Sequence, residues 1–416
     1  MNVVIIGSGL IGVTTAYFLQ RRGHQVTVID RRPAAGEETS YANGCLLTPS
    51  MSQPWNTPGC WRVLLASLVR SDAPLQLRLS ALPSLASWGL RFLGNSRPAA
   101  YRRSTLNNLA LALYSRAVMN ELRRDLQLDF EHAARGALRI FRSSAALQQA
   151  ADIAADELMN RVRVRQLSVE ETIQLEPALA AIAPQLSGAI HYESDETGDA
   201  HRFCQTLAAH AAQLGVQFRF DTHVTSLAMQ SGRVAAVLCG SERFTADRYV
   251  VAAGSYSTPL LRNIGVQLPV RPAKGYSVTF ERSANAPLSV PVLDDAFHAA
   301  IVPLHGRIRV AGTAEFAGFD LTLRQSRIHN LIQLLTQVLP QGGFDAAAAS
   351  PWCGLRAMSA DGTPIIGTTP VDNLLISTGH GHLGWTMAAG SAELLADLME
   401  NKSTAIASTP FSLARF

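Results

Sequence analysis

The chain has 416 residues, 47% of them hydrophobic and 16% charged, with a formal net charge of +4 from 36 basic and 32 acidic side chains. That composition excludes a disordered chain and fits one large domain or two interleaved ones. The basic residues are scattered arginines, apart from Lys274 and Lys402, so no block of charge offers a nucleic-acid surface and no nucleic-acid partner is expected.

In chain order, "NVVIIG" reads as a short apolar strand, "LIGVTTAYFLQRRG" as a helix ending at a glycine, and "HQVTVID" as a second strand. A loop rich in Pro, Gly, Ser and Thr follows Asp30. Residues 61–93 read as helical, with Trp61, Leu64, Leu65, Leu68 and Val69 on one face and Arg62 and Arg70 off it. An amphipathic helix is expected over about 101–128, then the strand "GALRIF" and the helix "SSAALQQAADIAADELM". A second α/β section starts near 195 with the helix "HRFCQTLAAHAAQLG" and the strands "VQFRF", "RVAAVLCG" and "DRYVVAAG". Strands dominate 270–315, a helix closes that block at "SRIHNLIQLLTQVLP", and the chain ends in "TPIIG", "NLLISTG" and a last helix. This mix implies an α/β fold: a Rossmann-type nucleotide-binding domain interleaved with a second, α+β domain that has its own sheet.

The five cysteines, Cys45, Cys60, Cys204, Cys239 and Cys353, are odd in number and never spaced Cys-x-x-Cys. Neither a disulfide scaffold nor a zinc knuckle is expected, and a reducing, cytoplasmic compartment fits best. The start has no basic leader, so no cleaved signal is expected, and no apolar run nears the roughly 18 residues of a membrane span.

"GSGLIG" places Gly7, Gly9 and Gly12 in G-x-G-x-x-G spacing between a strand and a helix, and Asp30 ends the next strand. Gly7 permits the tight turn, Gly9 a close approach to a pyrophosphate, and Gly12 close helix–strand packing. With Ser8, Leu10 and Ile11 they form an anion-binding turn at a helix start, and Asp30 suits an unphosphorylated ribose. The motif alone leaves NAD and FAD open. Its place at the extreme N-terminus, with more nucleotide-fold sequence hundreds of residues later, suits FAD. The strand end at Ala252-Ala253-Gly254 supports a close ligand approach. In "STGHGHLGWTMAAG", His380 and His382 stand one residue apart, but three or four convergent ligands make a metal site and no others are at hand, so no metal is expected.

Taken together, "VVIIGSGLIGV", "VTVIDR", "ETSYANG", "DETGD", "GSYS", "KGYS", "RIRVAG", "GLRAMSADGTPIIG" and "TGHGHLGWTMAAGSAELLADL" resemble the FAD-dependent D-amino acid dehydrogenase family, within the wider D-amino-acid-oxidase and sarcosine-oxidase group. The resemblance runs end to end. It implies an FAD domain from 1–50, 195–265 and 350–416 and a substrate domain from 51–194 and 266–349, with a mostly antiparallel sheet. The implied reaction oxidises a D-amino acid to an imine, which water converts to a 2-oxo acid and ammonia. Electrons pass to a quinone or other respiratory acceptor, with peripheral contact at the inner membrane. The face within 61–93 either makes that contact or packs on the chain's own domain.

The resemblance further implies cofactor contacts at Arg31, at Thr39, Ser40, Asn43 and Gly44, at Val224 and Gly254, and at Gly381, Leu383, Gly384, Trp385 and Thr386. There a glycine-rich turn would point the start of the last helix at the flavin ring. Arg356 would clamp the substrate carboxylate, Tyr276 would assist it, and His380 would line the flavin edge or the substrate amine. Left to the residues alone, Arg356 reads equally as a surface arginine and Tyr276 nearly as readily as a core tyrosine. His382 departs from the family pattern and reads as a surface histidine. Cys45 and Leu46 make the pocket more apolar, and Phe297 replaces a tyrosine. A cyclic substrate such as D-proline or D-hydroxyproline is therefore an alternative, as are an oxygen-using oxidase, a nicotinamide-linked dehydrogenase and a non-catalytic flavin subunit.

Overall fold

The structure, a computed structural model, describes residues 1–69, 75–155, 161–283, 285 and 287–416. Its first sheet runs in the order Ile365–Thr368, Leu374–Thr378, Arg248–Val251, Asn2–Ile6, Gln25–Ile29, Gln217–Arg219. All its pairs are parallel except the edge pair of Ile365–Thr368 with Leu374–Thr378. Alternation along the first strand divides the core. Val3 and Ile5 join the cluster that holds Val13, Phe203 and Leu394, whereas Val4 and Ile6 face Val234 and Val237. Both faces of the strand are thus covered, as parallel sheets require. The helices Leu10–Arg21, Ala200–Gln213 and Gly384–Met399 contribute to the first cluster, and a three-stranded sheet, Ser226–Gln230, Arg233–Cys239 and Glu242–Phe244, to the second.

The larger sheet runs Ser350–Ser359, Val270–Glu281, Arg307–Phe316, Ala299–Leu304, Val292–Asp294, Ala137–Phe141, Gly188–Tyr192, Val164–Leu167. Leu75–Leu77 adds to it, parallel to Ala314–Phe316. The sheet is mostly antiparallel. Its core packs Tyr276, Val278 and Phe280 against Ile328, Leu331 and Leu335 of the helix Gln325–Val338. The α/β architecture expected from the sequence, a Rossmann-type fold interleaved with an antiparallel one, is the one observed.

The strands Gly188–Tyr192 and Ser350–Ser359 show no alternation of buried and exposed residues. The second is specified by its partner, since all ten of its residues pair with Val270–Thr279. It belongs to the larger sheet, although the sequence division sets 350–416 with the nucleotide fold. The helical stretch 61–93 is two helices, Cys60–Val69 and Leu82–Gly94, with a strand between them. On the first, Trp61 is exposed and Leu64 half-buried; the side chains of Leu65, Leu68 and Val69, and Arg70, lie outside the described residues. On the second, Leu85, Trp88 and Phe92 are buried, which leaves Leu82, Leu90 and Leu93 exposed. Among the described residues no helix is long and apolar enough to cross a membrane.

Candidate active site

A cavity of about 1070 Å³ opens at the C-terminal ends of the parallel strands and extends to the larger sheet. Of the residues expected to hold a cofactor, Gly7, Gly9, Leu10, Ile11, Asp30, Arg31, Thr39, Ser40, Asn43, Gly44, Val224, Gly254, Gly381, Gly384 and Trp385 line it. Gly7 is left-handed, at φ 106°, and a Cβ there would stand 2.7 Å from the Ala252 carbonyl oxygen. At Gly12 a Cβ would stand 1.8 Å from the Gly7 carbonyl oxygen, so no other residue closes this turn.

Ser8, Gly12, Leu383 and Thr386 stand behind the wall. Asp30 accepts from the Ser8 N–H at 2.6 Å and its hydroxyl at 2.8 Å, which rigidifies the turn. Leu383 is core, and Thr386 accepts from the Thr48 N–H at 3.0 Å. Two lining residues also differ in detail from expectation. Ser40 accepts the Leu10 N–H at 3.1 Å, so that helix-start donor is already capped. The Trp385 indole turns inward, against Phe203 with ring centroids 4.7 Å apart, and donates to the Gly198 carbonyl. Arg31 pairs with Glu38 at 2.7 Å and lies 4.0 Å from the Tyr256 ring centroid.

The cavity fits a flavin dinucleotide on three counts. Gly254 is left-handed at φ 53°, and a Cβ on it would meet no protein atom within 4 Å, so the wall there is open to a ligand. The Ser377 hydroxyl, on a lining residue, is buried without a partner among the described residues. The turn Gly381–Leu383 opens the 16-residue helix Gly384–Met399 at the cavity, which brings the positive helix end to it.

Arg356 also lines the cavity. Its guanidinium lies over Gly275, where a Cβ would come within 2.4 Å of Cζ. Nη1 donates to the Thr313 carbonyl at 3.1 Å, and no described carboxylate pairs with it. Burial alone draws its pKa down to about 10. Trp55 stands 5.5 Å from this guanidinium and stacks on His382, with ring centroids 5.6 Å apart. His382 is therefore a wall residue, not a surface one, because its Nε2 meets the Met51 carbonyl at 3.0 Å. Burial, with a smaller push from Arg356 against the Met51 contact, takes its pKa down to about 4.

His380 is 7% exposed; its Nε2 meets the Ser391 hydroxyl at 3.0 Å, and burial lowers its pKa to about 3, so it is neutral. Tyr276 lines the cavity too, but its hydroxyl is engaged elsewhere. Strand alternation turns Gly275 toward Arg356 and Tyr276 away, into the core of the larger sheet, where its hydroxyl donates to Glu315 at 2.7 Å. Burial and that carboxylate push the phenol far up, while Lys274 lies 3.1 Å from the same Glu315. Cys45 is buried with its thiol 3.0 Å from Arg309, whereas Leu46 is half-buried against the cavity. Phe297 packs on the core of the larger sheet, under Arg142.

Sequence reasoning missed Trp55, Thr313, and the pair formed by Ser50 and Asp195. Asp195 is 1% exposed, accepts from the Ser50 hydroxyl and N–H, and is pushed up to about 7 by burial against those bonds. These residues come from loops and a bulge with no periodic signature. Only "DETGD" carried a hint.

The fold has solved relatives. Glycine oxidase from Geobacillus kaustophilus superposes with a TM-score of 0.76 at 23% identity, covering 100% of this chain and 98% of that one. L-proline dehydrogenase from P. horikoshii gives 0.76 at 18%, covering 100% and 97%. Iminodiacetate oxidase from Chelativorans sp. BNC1 gives 0.73 at 22%, covering 99% and 98%. Residues 2–398 match the family described as "DAO: FAD dependent oxidoreductase". The chain belongs to that family, and FAD is its cofactor.

Proposed function

We propose that this protein oxidises a D-amino acid at its Cα–N bond to an imine, which water converts to a 2-oxo acid and ammonia, and that the electrons leave to a quinone or other respiratory acceptor. One observation carries the reading: the Arg356 guanidinium lines the cavity with no carboxylate partner among the described residues. A partly buried cation without a counter-ion is costly in a folded protein and is relieved by a carboxylate ligand. The planar fork binds a carboxylate through two parallel hydrogen bonds, which sets orientation as well as affinity.

When bound, FAD supplies the two-electron chemistry. The side chains supply placement and charge. Arg356 holds the carboxylate and Trp55 shields that pair from water. His380 and His382 are neutral and add no positive charge against the substrate amine. A cyclic secondary amine, such as D-proline or D-hydroxyproline, is a second reading. It is favoured by the flat indole of Trp55 and by the apolar Leu46, Met51 and Leu293 on the cavity wall. Two structural relatives are named for secondary amines, L-proline and the open-chain iminodiacetate, which supports the amine class but neither the ring nor the D form.

Anaerobic titration of the holoprotein with D- and L-amino acids and cyclic imino acids tests the proposal. Bleaching of the flavin by D-forms is expected. Bleaching by L-forms alone, or by no α-amino acid, overturns it.

A further inference from the structure

The strands Val270–Glu281 and Arg307–Phe316 are out of step at one point. Lys274 pairs with Glu315 but Tyr276 with Gly312, so Gly275 alone faces two residues, Thr313 and Ala314. That is a β-bulge, a device that re-aims a side chain or carbonyl. Thr313 within it has φ 54°, a left-handed conformation that is a genuine outlier for a β-branched residue. Such outliers persist where the surroundings over-determine them, and they cluster at ligand clamps.

The bulge has two consequences. The Thr313 carbonyl receives the Arg356 Nη1 bond at 3.1 Å, and the guanidinium settles over Gly275, directly across the bulge. The Thr313 side chain belongs to a residue that lines the cavity, and its hydroxyl is buried with no hydrogen-bond partner among the described residues. Buried hydroxyls are almost always partnered, so this one needs a reason. Rotation between staggered wells exchanges its hydroxyl and methyl without breaking a hydrogen bond.

We propose that Thr313 is the second member of the carboxylate site: its carbonyl sets the Arg356 fork, and its hydroxyl donates to the bound carboxylate. This rests on the reading of Arg356 as the clamp. The strained bulge is then the device that presents both groups to one ligand, and the vacant hydroxyl is its unspent donor.

The test is benzoate binding to the holoprotein, followed by the perturbation of the flavin spectrum, together with steady-state kinetics on the best substrate. Thr313→Val is expected to weaken benzoate roughly tenfold or more, the loss of one hydrogen bond to a charged group. It should raise KM more than it lowers kcat, and Thr313→Ser should restore both. Thr313→Gly suits φ 54° and keeps the carbonyl. It carries the test if the valine variant does not fold, with the same weakening expected. If Arg356→Met loses benzoate while Thr313→Val and Thr313→Gly bind it as the parent does, Thr313 is not part of the site. If Arg356→Met also binds it unchanged, the reading of Arg356 fails as well.

Discussion

The Arg356 guanidinium lies 5.5 Å from the centroid of the Trp55 indole, and the same indole stacks on His382. A loop residue that no sequence pattern marks thus roofs the one charged group in the cavity to which the proposed chemistry assigns a substrate. A cation over an aromatic face is worth about 0.5–2 kcal/mol, depending on desolvation. Trp55→Leu should therefore raise KM several-fold with FAD retained, and Trp55→Phe should recover much of it. Unchanged steady-state kinetics in Trp55→Leu would remove the indole from the site.

Gly275 offers a sharper handle. A methyl group there would meet Arg356 Cζ at 2.4 Å, so the guanidinium must move. Gly275→Ala should cost about 2–4 kcal/mol in carboxylate binding, in line with the loss of a positioned charge pair. The yellow colour and melting temperature should change little. A variant that binds substrate normally would show that the guanidinium has another seat.

The nucleotide turn makes a prediction about cofactor rather than substrate. Gly12→Ala pushes a methyl onto the Gly7 carbonyl, at 1.8 Å before relaxation. The purified variant should contain substoichiometric flavin, read from its absorbance after gel filtration. Full occupancy would mean that the turn relaxes without loss of its anion site.

Asp195 predicts a pH effect whose sign is fixed. Burial lifts its folded pKa to about 7, against an unfolded value of about 3.9. The folded state then binds more protons than the unfolded state between those values. Its stabilising share is complete below pH 4 and is lost as pH rises toward 7. Asp195→Asn should gain on the parent across that window, by up to about 4 kcal/mol. His380 and His382 act with the opposite sign. Their folded values, about 3 and 4, lie below the unfolded one, so stability falls as pH drops below about 6.5. For that reason the comparison is of parent with variant at each pH. Parallel melting curves from pH 4 to 8 would contradict the assignment.

The helix Leu82–Gly94 buries Leu85, Trp88 and Phe92 and exposes Leu90 at 75%, near the exposed Leu79 at 71%. Arg91 and Arg97 are exposed beside them. If this face meets the membrane that holds a quinone, the protein should sediment with phosphatidylglycerol vesicles. Leu90→Glu should weaken that partition roughly tenfold, the value of one buried leucine. Equal sedimentation of parent and variant would move the contact elsewhere.

The nucleotide turn was legible because its glycines are demanded by backbone contact, which leaves a spacing in the sequence. The parallel strands were legible from short β-branched runs. The strand that carries Arg356 was not, since its ten residues take their conformation from the partner strand and show no alternation of their own. Arg356 was reached only through resemblance. Strand parity bears on Tyr276: with Gly275 facing the guanidinium, the next side chain turns to the core of the larger sheet, where Glu315 holds its hydroxyl. Trp55, Thr313 and Asp195 act through contacts among segments far apart in the chain, and a bulge at Thr313 exists only once two strands are paired.

The most direct measurement compares anaerobic flavin bleaching by D-proline and by D-prolinamide, which differ in the carboxylate charge, in the parent and in Arg356→Met. The parent is expected to prefer the acid by roughly a hundredfold and the variant to lose this preference. A parent that treats acid and amide alike, or a variant that keeps the preference, would contradict this expectation.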